Sequence, residues 1–205
     1  MIILVSGATA TMRRYATDDR FGLLFVPSRL EMSRELSLDK PWAADNGAFA
    51  GFDANAFVKL LSRVRSYPRG LFVAAPDVVG DHEATVVLFR TWEPMIHALD
   101  LPVAFVLQDG VTESAVPWRS CEAVFIGGTT EFKLGRRAAS IAGVAHALGK
   151  LVHMGRVNTK RRLRYATTIG CHSVDGTHFS RWPDFGFRKA DRWLQEIATQ
   201  PTLGL

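Results

Sequence analysis

Cys171-His172-Ser173-Val174-Asp175-Gly176-Thr177 turns from apolar to polar and stops on an acid followed by a glycine. Five other stretches end in the same manner: Ala43-Ala44-Asp45-Asn46-Gly47-Ala48-Phe49, Ala75-Pro76-Asp77, Leu107-Gln108-Asp109-Gly110, Phe125-Ile126-Gly127-Gly128-Thr129 and His153-Met154-Gly155-Arg156. In a parallel barrel the carboxyl ends of the strands carry the chemistry. Short apolar runs that finish on acids, amides and glycines therefore read as barrel strands whose ends converge on one site.

Working outward from these endings, short β-type runs alternate with longer amphipathic stretches, the pattern of repeated βα units. The runs predict eight strands, over Ile2 to Ser6, Leu23 to Pro27, Trp42 to Asp45, Leu71 to Ala75, Val103 to Gln108, Ala123 to Gly127, Leu151 to Met154, and Ser173-Val174. Helices are expected over Ala54 to Arg65, with Phe57, Leu60, Leu61 and Val64 on one face, and over Glu83 to Leu99, with Val86, Val87, Phe89 and Ile96 inward. Pro94 is expected to kink or end the second of these. Gly135 to Leu148, Thr159 to Thr168 and Arg188 to Thr199 complete the set, while Ala8 to Arg20 and Val111 to Ser120 carry the weakest helical pattern. The expected fold is a compact (β/α)8 barrel of the TIM type, one domain over residues 1–205. Roughly 250 residues is usual for that fold, so several connections must be short. An open, doubly wound α/β sheet is the alternative.

Composition sets the outer bounds. The chain has 205 residues, 47% hydrophobic and 22% charged, enough for one sizeable core. No apolar run approaches the roughly 18 residues that span a bilayer, so no membrane partner is expected. Two cysteines, Cys121 and Cys171, argue against a disulfide framework and fit a reducing cytoplasm. The net charge of +5 suits a polyanionic partner, because cationic side chains release counterions from phosphates, but it equally suits a merely basic surface.

In order, the strand endings resemble those of the tRNA-guanine transglycosylase superfamily, and more closely its short relatives that insert 7-deazaguanines into DNA. The family's Asp-Ser-Gly-Gly-(Phe/Tyr)-Gln loop is similar to Asp45-Asn46-Gly47-Ala48-Phe49-Ala50, its base-recognising Asp to Asp77, and its Val-Gln-Gly-Gly to Leu107-Gln108-Asp109-Gly110. Its Gly-Gly-Leu turn resembles Gly127-Gly128-Thr129, and its Leu-Met-Gly-Val-Gly stretch resembles Val152-His153-Met154-Gly155-Arg156. The resemblance implies a (β/α)8 barrel that exchanges guanine in a polynucleotide for a deazapurine through a covalent glycosyl-enzyme intermediate. It implies a pentosyltransferase with no metal and no redox cofactor. Three departures stand out: the zinc subdomain's cysteine motif is absent, Asn46 and Ala48 replace Ser and Gly, and matching Val174 to the family's Phe-Asp-Cys-Val puts His172 where the nucleophilic Asp belongs.

Base exchange needs a nucleophile for C1′ and an acid or base for the departing and entering purine. Asp45 and Asp175 are the candidate pair; alternatively Asp45 caps the following helix and Asp175-Gly176 is a turn. His172 is open to three readings: a neutral core histidine, an acid or base, or a substitute that has changed the activity. By strand alternation it shares a face with Val174, and Asp175 with Ser173. For a guanine-like edge, Asp77 supplies the acceptor, Gln108 and the Gly128 N–H supply donors, and Gly127 with Gly128 allow close approach. Asn46 lies in the same loop, and Phe49 and Met154 are expected to sandwich the ring unless they only fill core. Asp77 and Asp81 compete to cap the helix that follows them. Arg156, Asn158, Lys160, Arg161 and Arg162 suit phosphates beside an extruded nucleotide, or form a solvated basic face.

The reading that follows is a DNA-guanine transglycosylase taking a free 7-deazaguanine base such as 7-cyano-7-deazaguanine, with tRNA the less favoured polymer. A homodimer or an accessory protein is a route by which so small a barrel completes its nucleic-acid surface. The alternatives are a phosphosugar or nucleotide-processing barrel enzyme, and a non-catalytic nucleic-acid-binding relative.

Overall fold

In a computed structural model, which describes residues 1–7, 9–29 and 39–199, the eight runs form one closed, all-parallel sheet. Its strands are β1 Ile2–Val5, β2 Phe21–Phe25, β3 Trp42–Ala44, β4 Gly70–Ala74, β5 Val103–Leu107, β6 Ala123–Ile126, β7 Leu151–Met154 and β8 Ser173–Asp175. Closure comes from β1, which pairs with β2 on one side and with β8 on the other through Ile2 with Ser173 and Leu4 with Asp175. The fold is a (β/α)8 barrel and not an open doubly wound sheet.

Strand alternation divides the core into two layers. Leu4, Leu24, Ala43, Phe72, Ala104 and Ala123 come from six strands yet form one buried cluster, which only the barrel axis permits. Their neighbours in sequence, such as Ile3, Leu23, Val73, Phe105 and Val124, face the surrounding helices, as does Val174 of β8. The interior ladder continues upward as Val106, Phe125, His153 and Asp175, so its character changes from apolar to polar towards the carboxyl end.

Among the described residues the helices are α1 Thr9–Arg14, α2 Ala54–Val64, α3 His82–His97, α4 Thr130–Lys133, α5 Arg136–Ala147, α6 Lys160–Thr168, α7 Thr177–Arg181 and α8 Pro183–Thr199. Asp53 caps α2 by accepting from the Ala56 N–H, and Phe57, Leu60, Leu61 and Val64 are buried as the periodicity predicts. Asp81, and not Asp77, caps α3 through the Ala84 N–H, which leaves Asp77 to the strand end. Two expectations for α3 need correction. Pro94 does not end the helix, which continues to His97; and its buried face is His82, Thr85, Phe89 and Ile96, with Val87 63% exposed. The two weak stretches are indeed abbreviated. The first keeps only α1, its starting residue Ala8 lying outside the described residues, and the second only a 3-10 turn at Glu113–Ala115.

One buried cation holds the β1 to β2 connection. Lys40, 2% exposed, donates from Nζ to the carbonyl oxygens of Tyr15, Ala16 and Asp18 at 2.9, 3.2 and 2.6 Å. Methionine would keep the stem and remove a charged donor from all three carbonyls, orphaning that of Ala16 while Tyr15 and Asp18 keep the Asp18 and Phe21 N–H groups, so Lys40→Met is expected to destabilise the fold by about 1–3 kcal/mol in urea unfolding. A loss below about 0.5 kcal/mol would mean that these carbonyls find other partners.

Candidate active site

The polar end of the interior ladder opens into a cavity of about 250 Å³ at the carboxyl face of the barrel. Its polar lining includes Asp45, Asn46, Asp77, Gln108, Lys133 and Asp175, with the hydroxyls of Ser6, Thr177 and Ser180, and Arg156 at the mouth. The charged and amide groups follow or end the strands β3 to β8, with Asp45 and Asn46 sharing the β3 loop, and so the endings singled out in the sequence do converge.

Asp77 is held as a fixed acceptor. Asn46 Nδ2 donates to its Oδ1 at 2.8 Å and Gln108 Nε2 donates to its Oδ2 at 2.6 Å. Both amides are themselves pinned: Asn46 Nδ2 also reaches the Ala75 carbonyl and Asn46 Oδ1 accepts the Ala48 N–H, while Gln108 Oε1 accepts the Gly80 N–H. Burial raises the Asp77 pKa, and the two amide donors oppose that rise. A carboxylate fixed by two rigid amides keeps its remaining lone pairs for a ligand.

Asp45 lies where β3 gives way to a loop, and its Oδ1 accepts the Gly47 N–H at 2.9 Å. Burial pushes its pKa up to about 6, the Gly47 N–H opposes this, and the charges of Asp175 and Asp77 add to it. It therefore exchanges a proton close to neutral pH, as an acid-base group must.

Asp175 ends β8 and faces inward, in the register expected from alternation. Oδ1 accepts the backbone N–H of Arg156 at 3.1 Å, and Oδ2 lies 3.0 Å from Nε2 of His153. The other nitrogen of that fully buried imidazole, Nδ1, is 2.8 Å from Ser173 Oγ. Since a carboxylate only accepts, Nε2 carries the proton towards Asp175. The ring sits between Phe72 and Phe125, with centroids at 5.1 and 4.5 Å, and so cannot turn away.

Several expected site residues are elsewhere. His172 precedes β8 at the opposite, amino end of the barrel, exposed, with Nδ1 accepting the Val152 N–H and its ring 5.2 Å from that of His146. It has no access to the cavity, and partial covering of the ring together with the neighbouring His146 lowers its pKa. Met154 is 1% exposed and pairs in register with Val174 on the outer face of the sheet, so it fills the layer under the helices and does not sandwich a ring. Phe49 does stand at the mouth, 71% exposed, with the Arg156 guanidinium 4.1 Å over its ring.

The basic group also divides. Lys160 pairs with Glu196 of α8, and Asn158 Oδ1 accepts the His178 N–H, so both tie elements together. Arg162 supports the rim from behind, donating to the Arg156 carbonyl at 3.1 Å and to Thr130 Oγ1 at 2.9 Å. Arg156 itself is at the mouth, and Arg161 is exposed on α6.

Gly127 and Gly128 line the cavity. A Cβ on Gly127 would stand 2.9 Å from the Leu107 carbonyl oxygen, and one on Gly128, at φ 70°, would stand 2.6 Å from Asp109 Oδ2. Sequence reasoning missed Lys133, His153 and Ser173. Alternation applied to β7 as it was to β8 would have turned His153 inward; a lone lysine four residues beyond a Gly-Thr turn gives no such signal.

Among the described residues no group of three or more His, Cys, Asp or Glu is arranged to hold a metal, and no helix is long and apolar enough to cross a membrane. Cys121 and Cys171 are buried, their thiols pushed up to about 11 and about 12 by burial, which leaves them poor nucleophiles. Compared with family models and with curated protein sequences, the chain matches none.

Proposed function

We propose that the protein is a guanine transglycosylase acting on a polynucleotide, DNA ahead of tRNA, that installs a 7-deazaguanine base through a glycosyl-enzyme intermediate. The observation that carries this reading is the set of three carboxyl groups around one base-sized cavity: Asp77 fixed by two amides, Asp45 with a raised pKa, and Asp175 aligned by His153 and a backbone N–H. The cavity of about 250 Å³ lies below the roughly 300–1,000 Å³ of drug-sized ligand sites, in keeping with a single flat base.

In this mechanism Asp77 accepts the N1–H and amino group of guanine. An Asp175 oxygen forms a bond to C1′ as the C1′–N9 bond breaks, and the departing electron pair on the base takes the proton held by Asp45. The deazaguanine then enters and returns one proton from N9 to Asp45. Its N9 attacks C1′, and the ester to Asp175 breaks. One proton cycles, and neither oxidant nor metal enters the balance. Arg156 and Arg161 are the rim cations left to meet phosphates, a surface that a second copy or an accessory protein would extend. A cytoplasmic location follows from a DNA substrate.

The phosphosugar alternative has less support, since backbone N–H groups that would cradle a phosphate at late strand ends are given to carboxylates: Arg156 N–H to Asp175 and Thr129 N–H to Asp109 at 2.8 Å. The non-catalytic alternative rested on His172 replacing the nucleophile, and the β8 register removes that ground.

Incubation with labelled guanine and either duplex DNA or tRNA tests the proposal. Label is expected in DNA, displaced on addition of 7-cyano-7-deazaguanine. Absence of label from both polymers, with the free bases also failing to bind, would sink it.

A further inference from the structure

Among the described residues Lys133 is the one cationic side chain buried in the cavity wall, and nothing in the base-exchange chemistry uses it. It is 5% exposed and lines the cavity. An ammonium group has three donors, yet among the described residues Nζ makes one hydrogen bond, to the Gly155 carbonyl at 3.2 Å, and no carboxylate lies within ion-pair distance. Of the charges that act on it, Arg156 and Arg162 oppose its own charge, while Asp175 and Asp109 favour it. A buried cation with unfilled donors and no ion pair is costly unless a ligand supplies the acceptor.

The barrel's geometry says which part of a base would meet it. In a closed ring of eight strands, β4 and β8 are opposite. A purine with its N1–H and amino edge on Asp77, after β4, and N9 towards Asp175, at the end of β8, spans the cavity. Its remaining edge, O6 and position 7, then faces either the β1 to β3 side or the β5 to β7 side. The first presents Asp45, the Ser6 hydroxyl and the apolar Leu24 and Val26, the Asn46 amide being committed to Asp77 and the Ala75 carbonyl; the second presents the amide of Gln108 and the ammonium of Lys133. O6 is an acceptor, and a charged donor with unfilled hydrogen bonds stands only on the second side, since the proton of Asp45 is committed to N9. A group on C7 therefore projects towards Lys133, which follows β6 on α4.

We propose that Lys133 determines which 7-substituent the incoming base carries: it takes a hydrogen-bond acceptor, a nitrile or a carboxylate, and rejects an aminomethyl cation. This rests on the base-exchange reading and adds a subsite to it.

The test is calorimetric binding of guanine and of 7-cyano-, 7-carboxy- and 7-aminomethyl-7-deazaguanine to the full chain. Wild type is expected to bind the 7-cyano base at least ~10-fold more tightly than the 7-aminomethyl base, the equivalent of one hydrogen bond to a charged donor. The 7-carboxy arm tells whether the preferred acceptor is neutral or anionic. In Lys133→Met the preference should shrink to within about twofold while guanine binding changes less, and Lys133→Glu should invert it towards the amine. Equal binding of the cyano and aminomethyl bases by wild type would overturn the subsite without any variant having to fold. So would a preference that survives both substitutions. If guanine binds and exchanges but the ratio ignores Lys133, only the subsite falls. If guanine itself does not bind, the base-exchange reading falls first.

Discussion

Asp175→Asn is expected to lower base exchange by ~10³-fold or more while leaving free guanine bound within about threefold, a loss confined to the chemical step. The side chain is not needed to hold the base, which rests on Asp77, Asn46 and Gln108. It is needed to form the bond to C1′, and an amide oxygen is a far poorer nucleophile than a carboxylate. Asparagine is nearly isosteric and its oxygen still accepts the Arg156 N–H, so the strand end should keep its shape. The covalent adduct gives the sharper readout: labelled DNA should co-migrate with denatured wild-type protein and not with the variant. A variant that still forms adduct would move the nucleophile to another residue, Asp45 being the nearest choice. His153 then becomes informative. It supports the carboxylate from inside the barrel, so His153→Gln, which keeps a donor, should lose kcat with little change in KM, and less activity than Asp175→Asn loses.

The barrel was legible because its signal is redundant. Eight β-type runs, most with a polar ending, favour a ring over the open doubly wound sheet that alternating βα units also allow, and every predicted run contains most of an observed strand. The misjudged start of the second run shows the limit. Phe21 and Gly22 belong to β2, but a glycine in the run weakens the β pattern that marks a strand, whereas in the barrel Gly22 leaves room where a Cβ would meet the Pro41 carbonyl at 2.5 Å. The buried face of α3 escaped for a related reason. His82 and Thr85 are buried there, Thr85 Oγ1 accepting the Val78 N–H, and polar residues do not register in a hydrophobic period.

At the site, acids and amides were found because each sits at a strand end, where position alone is informative. Orientation was harder. His172 and Met154 were chosen by matching motifs, and both fail on a shift that pairing fixes: His153 and not Met154 faces the axis, and Asp175 and not His172 reaches the cavity. Lys133 was invisible because burial of a charged side chain leaves no trace in local sequence; it is a property of the walls around it.

Asp45→Asn is expected to abolish exchange and, unlike Asp175→Asn, to stabilise the fold in a pH-dependent way. Exchange should fall by ~10²–10⁴-fold, because an amide can neither give the proton to the departing base nor take it from the entering one. The stability effect follows from the raised pKa. Ordinary aspartate titrates at 3.8 when unfolded, and Asp45 titrates at about 6 when folded, because burial penalises its charge. Below the unfolded value both states hold the neutral acid and the substitution changes nothing. As pH rises through about 6, the folded protein must carry an ionised group in a site that disfavours it, and stability is lost. Asparagine never ionises, and it keeps the acceptor for the Gly47 N–H. The full shift would correspond to about 3 kcal/mol, an upper limit because the side chain opens onto the cavity, so a gain of about 1–3 kcal/mol is expected at pH 8 and almost none at pH 3. Thermal melts of the two proteins at both pH values measure it. An equal gain at both would assign the effect to packing, and a loss at pH 8 would mean that ionised Asp45 is stabilised by contacts that outweigh its burial. The expected pattern, more stable and inactive, is that of a carboxyl group retained for proton transfer at a cost to the fold.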